Sequence, residues 1–154
     1  MTNREKFECV NMITRTLFCE GRGENYEGLE AIMTVIYNRC GGKFENVKKV
    51  ISRKKAFSCW NKMTDNDWNN FVCKFSDGFE RDLDKWEFCE GLAYQFFLDF
   101  FRPAKMIHNI NSYMNKNTAD KSNVESWGKD LNIKIGNHWF GYLKENDGFL
   151  KTYH

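Results

Sequence analysis

The chain has 154 residues, of which 42% are hydrophobic and 29% are charged, and this balance excludes a disordered, collagen-like or coiled-coil protein. Its length predicts one domain over residues 1–154 that can bury a core of its own. A net charge of +2 is too small to indicate nucleic-acid binding, and the lack of an apolar run of about 20 residues argues against membrane insertion.

Apolar residues at helical spacing predict helices in the first third of the chain. The stripe of the first helix consists of Phe7, Val10, Ile13 and Leu17. This helix is expected to end near Glu20, because glycines follow at once and let a chain leave a helix. A second helix is predicted over Leu29–Cys40, ended by Gly41 and Gly42, and a short one over Val47–Ile51.

The rest of the chain predicts more helix and little sheet. One helix is expected to begin near Asp65, and a longer one covers Asp82–Phe101, with Pro103 marking its end. Residues 109–126 are rich in Asn, Lys and Ser and predict a long loop, whereas the alternation in Ile133–Ile135 predicts a short strand. The expected fold is therefore mainly α, with a small β or irregular region.

The cysteines and histidines give no sign of a disulfide framework or a metal site. None of the six cysteines forms a Cys-x-x-Cys pair, and the chain starts without the apolar segment of a signal peptide. We therefore expect a protein made in the cytoplasm with mostly buried thiols. Because the three histidines form no zinc-binding motif, we expect no metal and no cofactor.

Glu20 is the first candidate for chemistry. It follows Leu17, Phe18 and Cys19 at the predicted end of a helix and precedes a glycine-rich turn. A carboxyl group partly buried among apolar residues resists ionisation, so Glu20 can stay protonated near neutral pH and act as a general acid. From this local pattern alone, a solvent-exposed pair between Glu20 and Arg22 is the preferred interpretation.

A series of motifs resembles the cell-wall hydrolases typified by spore cortex-lytic enzymes (SleB type). The matching segments, in the same order as in that family, are Glu20-Gly-Arg22-Gly-Glu24-x-Tyr26-Glu-Gly28, Asn38-Arg39, Phe57-Ser58-Cys59-Trp60, Ser126-Trp127 and Ile135-Gly136-Asn137-His138-x-Phe140. Each segment alone is weak, but their common order over nearly the whole chain is a specific signal.

The resemblance implies a helical fold related to lysozymes and lytic transglycosylases that acts on the glycan strands of peptidoglycan. It places the catalytic acid at Glu20 and assigns Glu24 to the site with a less defined, substrate-binding role. The family's Ala-x-x-Tyr-His segment has two possible counterparts here, His108 and Tyr113, of which we prefer His108.

Further residues in the matching segments are candidates for binding sugars. Trp60 and Trp127 can stack on sugar rings, and hydrogen-bonding groups are available on Ser58, His108, Tyr113 and His138. Packing in the core is as good an interpretation for each tryptophan. A structural role that fixes the last segment is an equal alternative for His138.

The mechanism that fits one acidic residue is that of a lytic transglycosylase, in which the sugar supplies its own nucleophile. Its product is 1,6-anhydro-MurNAc. Because Glu24, Glu27 and Glu30 lie nearby in sequence, a hydrolytic muramidase with two carboxylates is the alternative. A zinc-dependent N-acetylmuramoyl-L-alanine amidase and a non-catalytic wall-binding module fit the residues less well.

The sequence also predicts a biological setting. A small catalytic chain without an export signal fits a phage endolysin that is made in the host cytoplasm and reaches the wall through a holin or from the virion. We expect it to act as a monomer on peptidoglycan glycan strands, without nucleic-acid partners.

Overall fold

The helices at the start of the chain form where apolar residues recur every three to four positions. A computed structural model describes residues 1–21, 23–53, 57 and 80–147. Helix α1 spans Asn3–Gly21, α2 spans Tyr26–Arg39 and α3 spans Val47–Ser52. These three helices confirm the predictions made from apolar spacing. The helix predicted from Asp65 lies outside the described residues.

Helix α4 spans Glu80–Phe97 and packs along α1. The predicted end at Phe101 is wrong by four residues, because the chain leaves the helix through Asp99, whose φ is +62°. The amide of Asp99 donates to the carbonyl of Phe96, and that of Phe100 donates to Gln95. These two bonds form the Schellman arrangement that commonly ends a helix. The stop therefore comes from a left-handed residue and not from Pro103.

Three short antiparallel strands form the only sheet among the described residues. Strand β1 spans Ser112–Met114, β2 spans Ile133–Ile135 and β3 spans His138–Gly141, with β3 in the centre. The strand predicted at β2 is confirmed. Gly136 begins the two-residue turn between β2 and β3 with a φ of +61°, a conformation that suits glycine.

The long loop predicted for residues 109–126 is wrong in part. This segment contains β1 and a short helix, α5, at Lys121–Glu125. Elements of three and five residues are too short to show a sequence period, and β1 forms because β3 supplies its hydrogen-bond partners. Another short helix, α6, covers Lys144–Asp147.

The main core lies between the first four helices and one face of the sheet. Its largest fully buried side chains include Phe18, Phe57 and Phe140. A second cluster of Met114, Leu131 and Leu143 lies on the sheet's other side. Within the described part of the chain, no helix is long and apolar enough to span a membrane. The observed architecture confirms a mainly α fold with a small β region.

Three of the described cysteines, Cys9, Cys40 and Cys89, are free thiols. Cys9, Cys40 and Cys89 are buried, and Cys19 is half-buried. Burial raises the pKa of the Cys89 thiol to about 12 and raises that of Cys40 still further, so neither forms a thiolate near neutral pH. The prediction of buried thiols is confirmed for Cys9, Cys40 and Cys89, whereas Cys59 and Cys73 lie outside the described residues.

Candidate active site

A groove of about 860 Å³ runs between the end of α1, the sheet and the segment that carries α5. This volume is within the usual range of ligand-binding sites. Its walls combine carboxyl, amide, hydroxyl and aromatic side chains, and they include Glu20, Glu24, Arg39, Ser112, Tyr113, Asn115, Asp120, Asn123, Trp127, Asn137, His138 and Glu145. The groove therefore brings together five of the residues that the sequence predicted for the site, namely Glu20, Glu24, Tyr113, Trp127 and His138.

Glu20 lies in the last turn of α1 and borders the groove with a half-buried side chain. The residues just before it anchor the helix, because Leu17 and Phe18 are completely buried. The Phe18 ring also packs edge-on against Trp86 of α4, with ring centroids 5.5 Å apart. Glu20 is thus carried on a rigid element, which suits a group that must meet a reacting bond at a defined position.

Glu24 differs from Glu20 because its side chain is only 2% exposed and is bound by the protein itself. The amide of Asn137 donates to both carboxylate oxygens at 2.9 and 3.0 Å. The Nδ1 atom of His138 lies 2.6 Å from Oε1. Although Glu24 borders the groove, its carboxylate connects the start of α2 to the turn between β2 and β3.

Two glycines make room for this buried carboxylate. A Cβ atom on Gly136 would lie 1.8 Å from Oε2 of Glu24, and one on Gly28 would lie 2.9 Å from its Cβ. The nearby Asn25 caps α2, because its side chain accepts a hydrogen bond from the Gly28 amide at 2.9 Å. The glycines of the Tyr-Glu-Gly and Ile-Gly-Asn-His segments are therefore required by contacts with Glu24.

His138 and Tyr113 lie side by side on the same face of the sheet, and both border the groove. Their rings meet edge to face, with centroids 5.3 Å apart. Tyr113 pairs with Phe140 across β1 and β3, and Phe140 is completely buried. The core thus fixes the strand that presents His138, whose side chain is 12% exposed.

Trp127 borders the groove from the segment that follows α5. It begins a 3-10 turn at Trp127–Asp130 and packs with its half-buried ring against the cluster of Met114, Leu131 and Leu143. The ring also borders the groove. The two roles considered for Trp127, packing in a core and contact with a sugar ring, are therefore compatible.

The structure separates His108 from the groove. Its exposed ring contacts the Lys105 carbonyl through Nδ1 at 2.8 Å, and it is not among the described residues that line the groove. Tyr113, the other counterpart of the family's Tyr-His segment, does line it. The placement therefore favours Tyr113 over the preferred His108. Ser58 and Trp60, together with Arg22, lie outside the described residues.

Sequence reasoning assigned no role to the residues that connect the end of α2 to the segment before β1. Arg39 donates from Nε to the Asn111 carbonyl at 2.8 Å, and the Asn111 side chain bonds both the amide and the carbonyl of Leu143. Asn38 donates to the carbonyls of His108 and Ile110. The Asn38-Arg39 pair of the matching motif was the available signal, but only the folded chain shows what it binds.

Among the residues that the structure describes, no cluster of three or more His, Cys, Asp or Glu side chains is arranged to hold a metal ion.

Comparison with known families gives one match. Residues 23–141, more than three quarters of the chain, match the cell wall hydrolase family. The matched segment includes Glu24, Tyr113, Trp127 and His138 and begins three residues after Glu20. No curated protein and no solved structure gives a significant match.

Proposed function

Because this chain belongs to the cell wall hydrolase family, whose members act on peptidoglycan, we propose that it cleaves the β-1,4 bond between MurNAc and GlcNAc, with Glu20 as the general acid. The observation that carries this proposal is the position of Glu20, half-buried at the end of an anchored helix and bordering the groove. Trp127 and Tyr113 supply aromatic surface in the same groove, which suits sugar rings.

The mechanism we propose is that of a lytic transglycosylase. Glu20 donates its proton to the glycosidic oxygen while the bond from C1 to that oxygen breaks. The C6 hydroxyl of the same MurNAc then attacks C1 and gives its proton to the Glu20 carboxylate, which closes the 1,6-anhydro ring and restores the acid. The engagement of Glu24 by Asn137 and His138 supports a mechanism in which Glu20 is the single catalytic carboxyl group.

Hydrolysis by a muramidase is the second candidate, because Asp120 and Glu145 also border the groove. Either carboxylate would serve as the second acidic group that direct hydrolysis requires. Glu27 and Glu30, the other acidic residues near Glu20 in sequence, are exposed and do not line the described groove, which counts against them.

Mass spectrometry of digested peptidoglycan tests both the reaction and the role of Glu20. We expect the wild type to release fragments that end in 1,6-anhydro-MurNAc, and Glu20→Gln to lower their rate of release at least 100-fold, as for loss of a general acid. Glu30→Gln, an exposed change outside the groove, is the matched control and should act like the wild type. Reducing MurNAc ends would indicate a muramidase, and free stem peptides with intact glycan would overturn the proposal.

We propose the same setting that the sequence suggested: a phage endolysin, active as a monomer, that reaches the wall through a holin or from the virion. This setting requires that a bacterium producing the chain together with a holin lyses, and that cells producing the chain alone do not.

A further inference from the structure

The pair formed by Glu24 and His138 has a consequence for the chemistry of the groove. Both Glu24 oxygens accept the Asn137 amide, at 2.9 and 3.0 Å, so the carboxyl group acts as an acceptor through both of its oxygens. With Oε1 acting as an acceptor, the short contact of 2.6 Å between Oε1 and Nδ1 of His138 points to Nδ1 as the donor. In a neutral imidazole, Nε2 is left with a lone pair and acts as an acceptor.

Nε2 of His138 is positioned to accept a hydrogen bond from a ligand in the groove. His138 borders the groove, and no hydrogen bond joins Nε2 to another residue in the described part of the chain. Tyr113 packs against the ring edge-on, and Glu24 holds its other side, so the ring has little freedom to turn. Glycan strands carry hydroxyl groups and N-acetyl amide N–H groups, all of which can donate to such a nitrogen.

We propose that Glu24 is a positioning residue that holds His138 in the Nδ1-protonated form, so that Nε2 accepts a hydrogen bond from the glycan in the groove. The inference rests on the proposed function for the identity of the ligand. It replaces the direct substrate contact expected for Glu24 from the sequence with an indirect role, and it specifies the atom of His138 that meets the sugar.

Two substitutions of His138 separate this role from simple support of the fold. In His138→Asn, the amide nitrogen occupies the place of Nδ1 and can still donate to Glu24, but nothing replaces Nε2. In His138→Gln, the longer side chain places an amide near the position of Nε2 and loses the short contact with Glu24. Asn therefore preserves the link between α2 and the sheet while removing the group that binds glycan.

Binding is measured with the tetrasaccharide GlcNAc-MurNAc-GlcNAc-MurNAc in a Glu20→Gln background, which prevents turnover. We expect His138→Asn to keep the melting temperature near that of the parent and to raise Kd about three- to tenfold, the effect of losing one neutral hydrogen bond. We expect His138→Gln to lower the melting temperature. Unchanged binding by a folded His138→Asn protein would show that the pair only supports the fold and would overturn the proposal.

Nitrogen-15 NMR of the histidine rings gives a second readout, made on the protein with His138 in place. The chain has only three histidines, so comparison with the spectrum of His138→Asn assigns the signals. We expect protonated Nδ1 and bare Nε2 at mildly alkaline pH, with Nε2 shifting when the tetrasaccharide is added. A proton on Nε2 would overturn the inference. Failure of the proposed function would appear separately, as wild-type protein that releases no Glu20-dependent glycan fragments.

Discussion

The buried carboxylate of Glu24 explains the identity of several residues around it. The Asn137 amide and the His138 ring contact the carboxylate of Glu24, and Oε2 lies where a Cβ atom on residue 136 would be. A buried charge is tolerated only when donors compensate for its lost water, and here the donors come from a turn more than 110 residues away. Gly136 is required for two reasons: its φ is positive, and a side chain at this position would overlap the carboxylate of Glu24.

At this residue scale, Gly136→Ala should be strongly destabilising. The added Cβ would lie 1.8 Å from Oε2 of Glu24 at a residue whose φ is +61°, so we expect a loss of about 3 kcal/mol in the free energy of unfolding. Urea denaturation measures this loss.

Gly91→Ala is the matched control for that substitution. Gly91 lies within α4 and no atom lies within 4 Å of the position of an added Cβ, so alanine should stabilise the helix by about 0.5–1 kcal/mol. Similar effects of the two substitutions would contradict the tight fit assigned to Gly136.

Among the secondary-structure elements, α4 shows how a helix end is decided by backbone conformation. Apolar residues continue past its last turn, since Leu98, Phe100 and Phe101 follow directly. Phe101 is nevertheless buried and Phe100 is 74% exposed, because the turn at Asp99 changes the direction of the chain. An apolar pattern reports which residues favour burial but does not show where the backbone turns.

Asp99→Gly should stabilise the protein at this helix end. Asp99 has a φ of +62°, which strains a residue with a Cβ atom, and its 85% exposed side chain makes only a solvent-screened pair with Arg102. We expect a gain of about 0.5–1 kcal/mol, measured by thermal or urea unfolding. Asp99→Val, which adds a β-branched side chain, should instead lose about 1 kcal/mol, and a gain with Val would refute this account.

For the molecule as a whole, stability depends on a core that includes buried thiols. Burial raises the pKa of Cys89 from its ordinary value of 9.0 to about 12, so the folded state keeps this proton at pH values where the unfolded chain loses it. The stabilising contribution is complete below pH 9 and is lost as pH rises towards 12. Cys40 acts in the same direction.

We therefore expect the free energy of unfolding to fall with increasing alkalinity between pH 9 and 12. The contribution of one such thiol is about 1.4 kcal/mol per pH unit. Urea unfolding at successive pH values under reducing conditions measures the slope. Cys89→Ala, which removes one titrating group, should give a shallower slope, and equal slopes would contradict the assignment.

The groove itself is a property of the whole molecule. Glu20, Tyr113, Trp127 and His138 come from separate segments, and they meet because α1 and β3 share one buried core. Asn38 and Arg39 add to this by binding carbonyls between residues 108 and 111. These contacts join residues about 70 positions apart, which no local pattern can predict.

The sequence by itself determined the long helices and the β2 strand, and it predicted five of the residues that line the groove. Periodic apolar residues and ordered motifs carry that information locally. Tertiary structure alone decided that β1 forms, that Tyr113 borders the groove while His108 does not, and that Glu24 binds His138. These outcomes depend on hydrogen bonds and burial between distant segments, whose energies exist only once the chain has folded.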